Sequence, residues 1–251
     1  MTVLAGHFAG HLRELRTRVL VSFLAILVGT LVAYAFSEHL VRFLMVPLVK
    51  GHPALAKLVY TNLTEAFVSY LKISLLVGLM AGFPVCCYEL WRFIAPGLHR
   101  HERRLARTVV FWASALFAGG VVFAYVVVLP ETLSFLLSFA GEQLEPMLRL
   151  DAYLTFVART SLAFGLAFEV PFLMVMVAKA GIVAKGYFAR QRKYFYLAIL
   201  VLSFLLTAGD VLSAVLLAVP LFGLYEAGIL ISRPFVTVHR GGNQSTKTTE
   251  L

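Results

Sequence analysis

Six continuous apolar runs, near 19–36, 66–91, 108–130, 153–180, 194–206 and 211–231, divide the chain, with polar and charged residues gathered between them. The runs do not alternate apolar with polar, so they read as helices rather than as the strands of a membrane barrel, which take about 9–11 residues. The first four hold about 18–28 residues, or about 27–42 Å of helix, enough for a hydrocarbon core of about 30 Å. The fifth and sixth read as short, and 194–206 reaches only about 20 Å. The expected fold is all-α: a polytopic integral membrane protein whose six transmembrane helices form one domain over 1–235. Residues 236–251 are mostly Gly, Asn, Ser, Thr and Lys and are expected to be a disordered cytoplasmic tail.

Composition narrows the class. Of 251 residues, 60% are hydrophobic and 14% charged, against about 25% charged in soluble domains, which excludes both a soluble globule and a disordered chain. The two cysteines, Cys86 and Cys87, are adjacent inside an apolar run and offer neither a disulfide framework nor zinc spacing. A net charge of +9 in a soluble chain would suggest nucleic acid; here the placement of charge matters more. If the six runs alternate in direction, 16 of the 22 basic residues share one side, among them Arg13, Arg16, Arg18, Arg92 and Arg107, and only Arg42, Lys50, Lys57 and Arg149 lie on the other. The positive-inside rule therefore puts both termini in the cytoplasm. Residues 13–35 also carry the outline of a secretory leader ending Ala33-Tyr34-Ala35, but the apolar run is long for one and reads as a retained span. On the outer side, Pro47 and Pro53 mark bends in a stretch expected to lie along the interface.

Two polar stretches stand out. His11-Leu12-Arg13-Glu14-Leu15-Arg16-Thr17-Arg18 precedes the first run. As a helix it places Phe8, Leu12, Leu15 and Val19 on one face, suited to the membrane surface, and Glu14 on another, four residues before Arg18. The plain reading is an ordinary i,i+4 ion pair. Between the second and third runs, Trp91 to Arg104 is basic except for Glu102, whose plain reading is a carboxylate satisfied by its neighbouring arginines. Glu89 and Glu226, near the basic ends of their runs, read as structural. The Gly78–Gly82 and Ala115–Gly119 patterns allow close helix approach and read as packing inside the bundle.

These stretches, in this order, resemble the C subunit of the twin-arginine protein translocase, the TatC family. The resemblance is carried by HLRELRTR before the first span, Pro47 in the first outer loop, FPVCCYELWRFIAPGLHRHERR between the second and third, FGLAFEVP in the fourth and LAVPLFGLYEAGI in the sixth. It implies a receptor of the inner membrane that binds signal peptides bearing an Arg-Arg pair. It also implies that single-span TatA- and TatB-like subunits are recruited and that folded cargo is exported with the proton-motive force. Glu14 and Glu102 match the family's recognition acids, with His11, Arg16, Phe93 and Arg103 around them. Glu169, Pro171 and Pro47 are expected about a concave groove open to lipid, and Leu205, Thr207, Asp210 and Val211 where the small partners dock. Three positions depart: Ala208-Gly209 stand where the family usually has two prolines, and Ala214 where it has Gln. Self-association and lipid contact are implied; a cofactor, a metal and nucleic acid are not.

The physics agrees with the resemblance. Guanidinium pairs bidentately with carboxylate, and lysine cannot reproduce that fork. A partly exposed pair contributes at most about 1 kcal/mol, so the arginines supply specificity more than affinity. A charge at Glu169, inside the fourth run, costs about 2.5–3.5 kcal/mol on insertion scales and needs a cavity or a partner. From residues alone, the rival is a proton- or ion-coupled transporter of a small solute using Glu169 and Arg159. No nucleophile elbow, H-E-x-x-H or phosphate loop supports an enzyme.

Overall fold

The computed structural model describes residues 2–51, 58–60, 62–94, 106–138, 147–179, 181, 183–184, 186–207 and 211–235. In chain order the helices are α1 (Thr2–Ala35), α2 (Ser37–Gly51), α3 (Leu63–Ile94), α4 (Ala106–Phe123), a π-helical turn (Ala124–Val128), α5 (Leu129–Leu137), α6 (Leu150–Lys179), α7 (Tyr187–Arg190), α8 (Arg192–Leu206) and α9 (Val211–Ser232). Among the described residues, five segments are long and apolar enough to cross a membrane: Arg13–Ala35, Thr64–Phe93, Arg107–Leu137, Leu150–Lys179 and Val211–Ser232. With α8 as the sixth, the chain is a polytopic α-helical bundle. Of the two spans expected to be short, only α8 is. Its 15 residues reach about 22 Å, whereas the 22 residues of α9 reach about 33 Å. Near the end of α9, Glu226 pairs with Arg192 Nη2 at 2.7 Å and accepts a hydrogen bond from the Tyr196 hydroxyl at 2.5 Å.

Tight packing centres on an antiparallel pair, α1 and α3. Lipid tails are as apolar as leucine, so helices in a membrane gain contact mainly where small residues let backbones approach. Gly29 meets Gly78 here: a Cβ added at Gly78 would lie 2.5 Å from the Thr30 amide nitrogen. One turn on, a Cβ at Gly82 would lie 3.0 Å from Ile26 Cγ1. Thr30 satisfies its own hydroxyl on the Ile26 carbonyl at 2.8 Å, so it brings no stray polar group to the seam. The 78–82 pattern thus packs inside the bundle, as expected. The 115–119 pattern does not, since nothing lies within 4 Å of a Cβ at Gly119. The buried face of α4 runs instead through Ala113, Phe117 and Gly120, and Gly120 presses on the Phe164 carbonyl of α6.

The end away from the arginine-rich termini is closed by α2. Pro47 lies within that helix, buried beside Leu48, and lacks the amide that would bond the Phe43 carbonyl. Tyr125 donates its hydroxyl to that carbonyl at 2.6 Å, and Tyr153 donates to the next one, Leu44, at 2.6 Å. The break that proline makes is therefore filled from two other helices. Nearby, Lys72 pairs with Asp151 at 2.5 Å and Arg149 with Glu65 at 3.5 Å, so the lysine placed inside the second run does not sit alone in lipid.

Gly78→Ala is expected to destabilise the purified protein by about 1–3 kcal/mol, because the Thr30 backbone cannot retreat without parting α1 from α3. Gly119→Ala is expected to be neutral or to stabilise by up to about 1 kcal/mol through helix propensity. Thermal unfolding in detergent compares the two, and equal losses would contradict this assignment of faces.

Candidate functional site

At the arginine-rich end, the α1 positions Arg13, Glu14, Thr17, Arg18 and Val21 recur at helical spacing and face the last turns of α3. With Glu89 and Arg92 they line an open cavity of about 370 Å³. Arg18 sits between two carboxylates. Its Nη2 pairs with Glu14 on the same helix, and its Nη1 pairs with Glu89 Oε2 at 3.3 Å across the seam. Arg92 approaches the other oxygen of Glu89 at 3.8 Å and lies over the Tyr88 ring at 5.7 Å. Access differs sharply between the acids: the Glu14 side chain is 37% exposed, Glu89 only 11% and Arg18 14%.

The i,i+4 pair read from the sequence is thus present, but it is one half of a bridge whose other half comes from 71 positions away. Glu89, read as merely structural, belongs to this cluster. A signal for it existed. Once Gly29 is set against Gly78, antiparallel register carries position 18 opposite position 89.

Arg16 is exposed and does not line the cavity, nor does the half-buried Phe93. The His11 side chain and Glu102, Arg103 and Asp210 lie outside the described residues.

Glu169 is buried on α6 at 8% exposure, beside Phe117 of α4 and within electrostatic reach of Cys87 on α3. Its Oε1 has no hydrogen-bond partner among the described residues. Phe83 and Phe117 stack at 3.8 Å between ring centres on the helices that flank it. Since Cys87 and Glu89 point about 200° apart around α3, that helix stands between Glu169 and the Arg18 bridge. Pro171 faces elsewhere, against Gly228 of α9. Pro47 was grouped with these two residues and does not belong there. It packs by Tyr153, 16 residues or about 24 Å along α6 from Glu169, because α2 needs its broken turn filled at that end. Arg159, the other residue of the transporter reading, is exposed and lies about 15 Å along the helix from Glu169.

Around the α8–α9 turn, Leu205 and Val211 are each 66% exposed. Thr207 turns back to cap α8, donating to the Ser203 carbonyl at 3.0 Å. Ala214 is buried and takes no part in that surface.

Comparison with known proteins places this arrangement. The family model described as Sec-independent protein translocase protein (TatC) matches residues 10–220. The protein of that name from Aquifex aeolicus is 39% identical over 89% of this chain and 93% of its own length. That of Escherichia coli is 36% identical over 90% and 88%. A crystal structure of the twin-arginine translocase receptor TatC superposes with a TM-score of 0.83 at 38% identity, covering 90% of this chain and 99% of the other.

A buried carboxyl oxygen without a partner stabilises nothing, so Glu169→Leu is expected to leave thermal stability unchanged or raise it by about 1–3 kcal/mol. A clear loss of stability in detergent would show instead that the bundle depends on this side chain.

Proposed function

The chain belongs to the TatC family and is a multi-span membrane subunit of the twin-arginine translocase, not an enzyme; from that premise we propose that it is the receptor for signal peptides carrying an Arg-Arg pair. One observation carries the reading: Glu14, the exposed acid at the mouth of the cavity, already holds a guanidinium. Arg18 divides its fork between Glu14 and Glu89, and an incoming guanidinium can present both arms to Glu14, where a lysine ammonium offers only a point charge. Glu102 is the second reader by its match to the family motif. Both acids then face the cytoplasm, as the side carrying 16 of 22 basic residues requires.

The apolar part of the signal passes from Glu14 around α3 to the side of the bundle where Glu169 is buried. A membrane potential acts on a charge there with about 2.3 kcal/mol per 100 mV, which gives the proton-motive force a point of action. Single-span TatA- and TatB-like partners dock on the exposed residues Leu205 and Val211. There the underlength α8 thins the surrounding bilayer, a cost that a neighbouring helix relieves.

Glu14→Lys or Glu102→Lys is expected to weaken Arg-Arg signal binding by about tenfold or more, because like charges meet, with the amount of inserted protein unchanged. Replacing the signal's arginines by lysines weakens binding to the parent and makes no further difference in the Glu14→Ala/Glu102→Ala variant, since residues in one contact do not add. Equal weakening of the lysine signal in both backgrounds would refute the assignment.

A further inference from the structure

The cavity at Glu14 is occupied by the protein's own arginine, and its charge balance is unfavourable to a cation. Among the described lining residues, Arg13, Arg18 and Arg92 outnumber Glu14 and Glu89. A cationic ligand entering such a site gains little unless a carboxylate is first released from its resident partner. The bridge is built for that release. Arg18 uses Nη2 on Glu14 and Nη1 on Glu89, while its buried Nε has no partner among the described residues. The two acids also differ in access. Glu14 faces the opening, and Glu89 is sequestered on α3, with Arg92 loosely held at 3.8 Å.

Building on the receptor reading, we infer that Arg18 is an internal competitor for the signal's arginine and that Glu89 is the acceptor that makes the exchange possible. An incoming guanidinium takes Arg18's place on Glu14, and Arg18 swings onto Glu89 alone. It remains paired throughout, so no buried charge is stranded, a condition that would otherwise be strongly unfavourable. The exchange also sharpens selection. A ligand must outcompete a tethered guanidinium, which another guanidinium can do through its bidentate fork and an ammonium cannot. Arg18 and Glu89 are therefore specificity-determining residues that act through Glu14, and neither needs to touch the signal.

The test measures binding of a fluorescent Arg-Arg signal peptide, and of its Lys-Lys counterpart, to the full chain in nanodiscs. Arg18→Gln removes the competitor. It is expected to tighten Arg-Arg binding up to about fivefold and to tighten Lys-Lys binding more, narrowing the discrimination between them. Glu89→Gln removes the acceptor and is expected to weaken Arg-Arg binding by a similar factor in the parent, with no effect once Arg18 is already Gln. Arg18→Lys, which keeps a cation but loses the fork, gives a smaller tightening and stands in if the neutral variant does not insert. Unchanged or weaker binding in both Arg18 variants would overturn the exchange, as would an equal cost of Glu89→Gln in both backgrounds. Glu14→Gln separates this inference from the one beneath it. If that variant binds as the parent does, the receptor reading at Glu14 fails. If it binds poorly while the Arg18 variants bind as the parent does, only the exchange fails.

Discussion

The backbone contact between α1 and α3 at Gly29 and Gly78 is the constraint from which the rest of the arrangement follows. Two helices that met through larger side chains would stand farther apart and free to slide. Glycine against glycine fixes both the distance and the register, because the Thr30 backbone leaves no room for a Cβ. Eleven residues from that point along each helix, the same register sets Arg18 against Glu89 and turns Glu14 towards the opening. The site at the arginine-rich end is thus a consequence of packing deep in the span.

Elsewhere the bundle neutralises the charges it holds. Lys72 with Asp151, Glu65 with Arg149 and Glu226 with Arg192 each join two segments distant in sequence, and Tyr125 and Tyr153 fill the break at Pro47. Among the described residues, two acids stand apart from those pairs. Glu169 is buried with an unpartnered oxygen, and Glu14 shares its guanidinium with a second carboxylate. Departures of this kind concentrate where function asks for something other than stability.

Much of this was legible from the chain. Continuous apolar runs far longer than a barrel strand leave helices as the only spanning element, whereas the spacing at Glu14 read as an ordinary i,i+4 pair and only the family resemblance singled that acid out. What stayed hidden depends on which faces meet. Glu89 looked like a routine helix-end acid because the residue opposite it is 71 positions away. Ala115 and Gly119 have the spacing of a packing motif, yet the buried face of α4 passes one residue further on, through Gly120. Pro47 belongs with Tyr125 and Tyr153 rather than with Glu169, a pairing visible only once the Phe43 carbonyl it leaves unbonded finds its donor in Tyr125.

The central claim is that α1 and α3 form one rigid unit whose register sets the recognition site. It is tested most directly by locking that register. In a background with Cys86→Ala and Cys87→Ala, cysteines are placed at Ile26 and Gly82, where a Cβ at position 82 would lie 3.0 Å from Ile26 Cγ1 and 3.3 Å from its Cα, so the two side chains meet once the seam gives by a few tenths of an ångström. The disulfide is expected to form readily, and the oxidised protein is expected to bind an Arg-Arg signal peptide as well as the reduced one does. Failure to crosslink, or loss of about tenfold or more in binding on oxidation, would show that the site depends on α1 and α3 moving past one another.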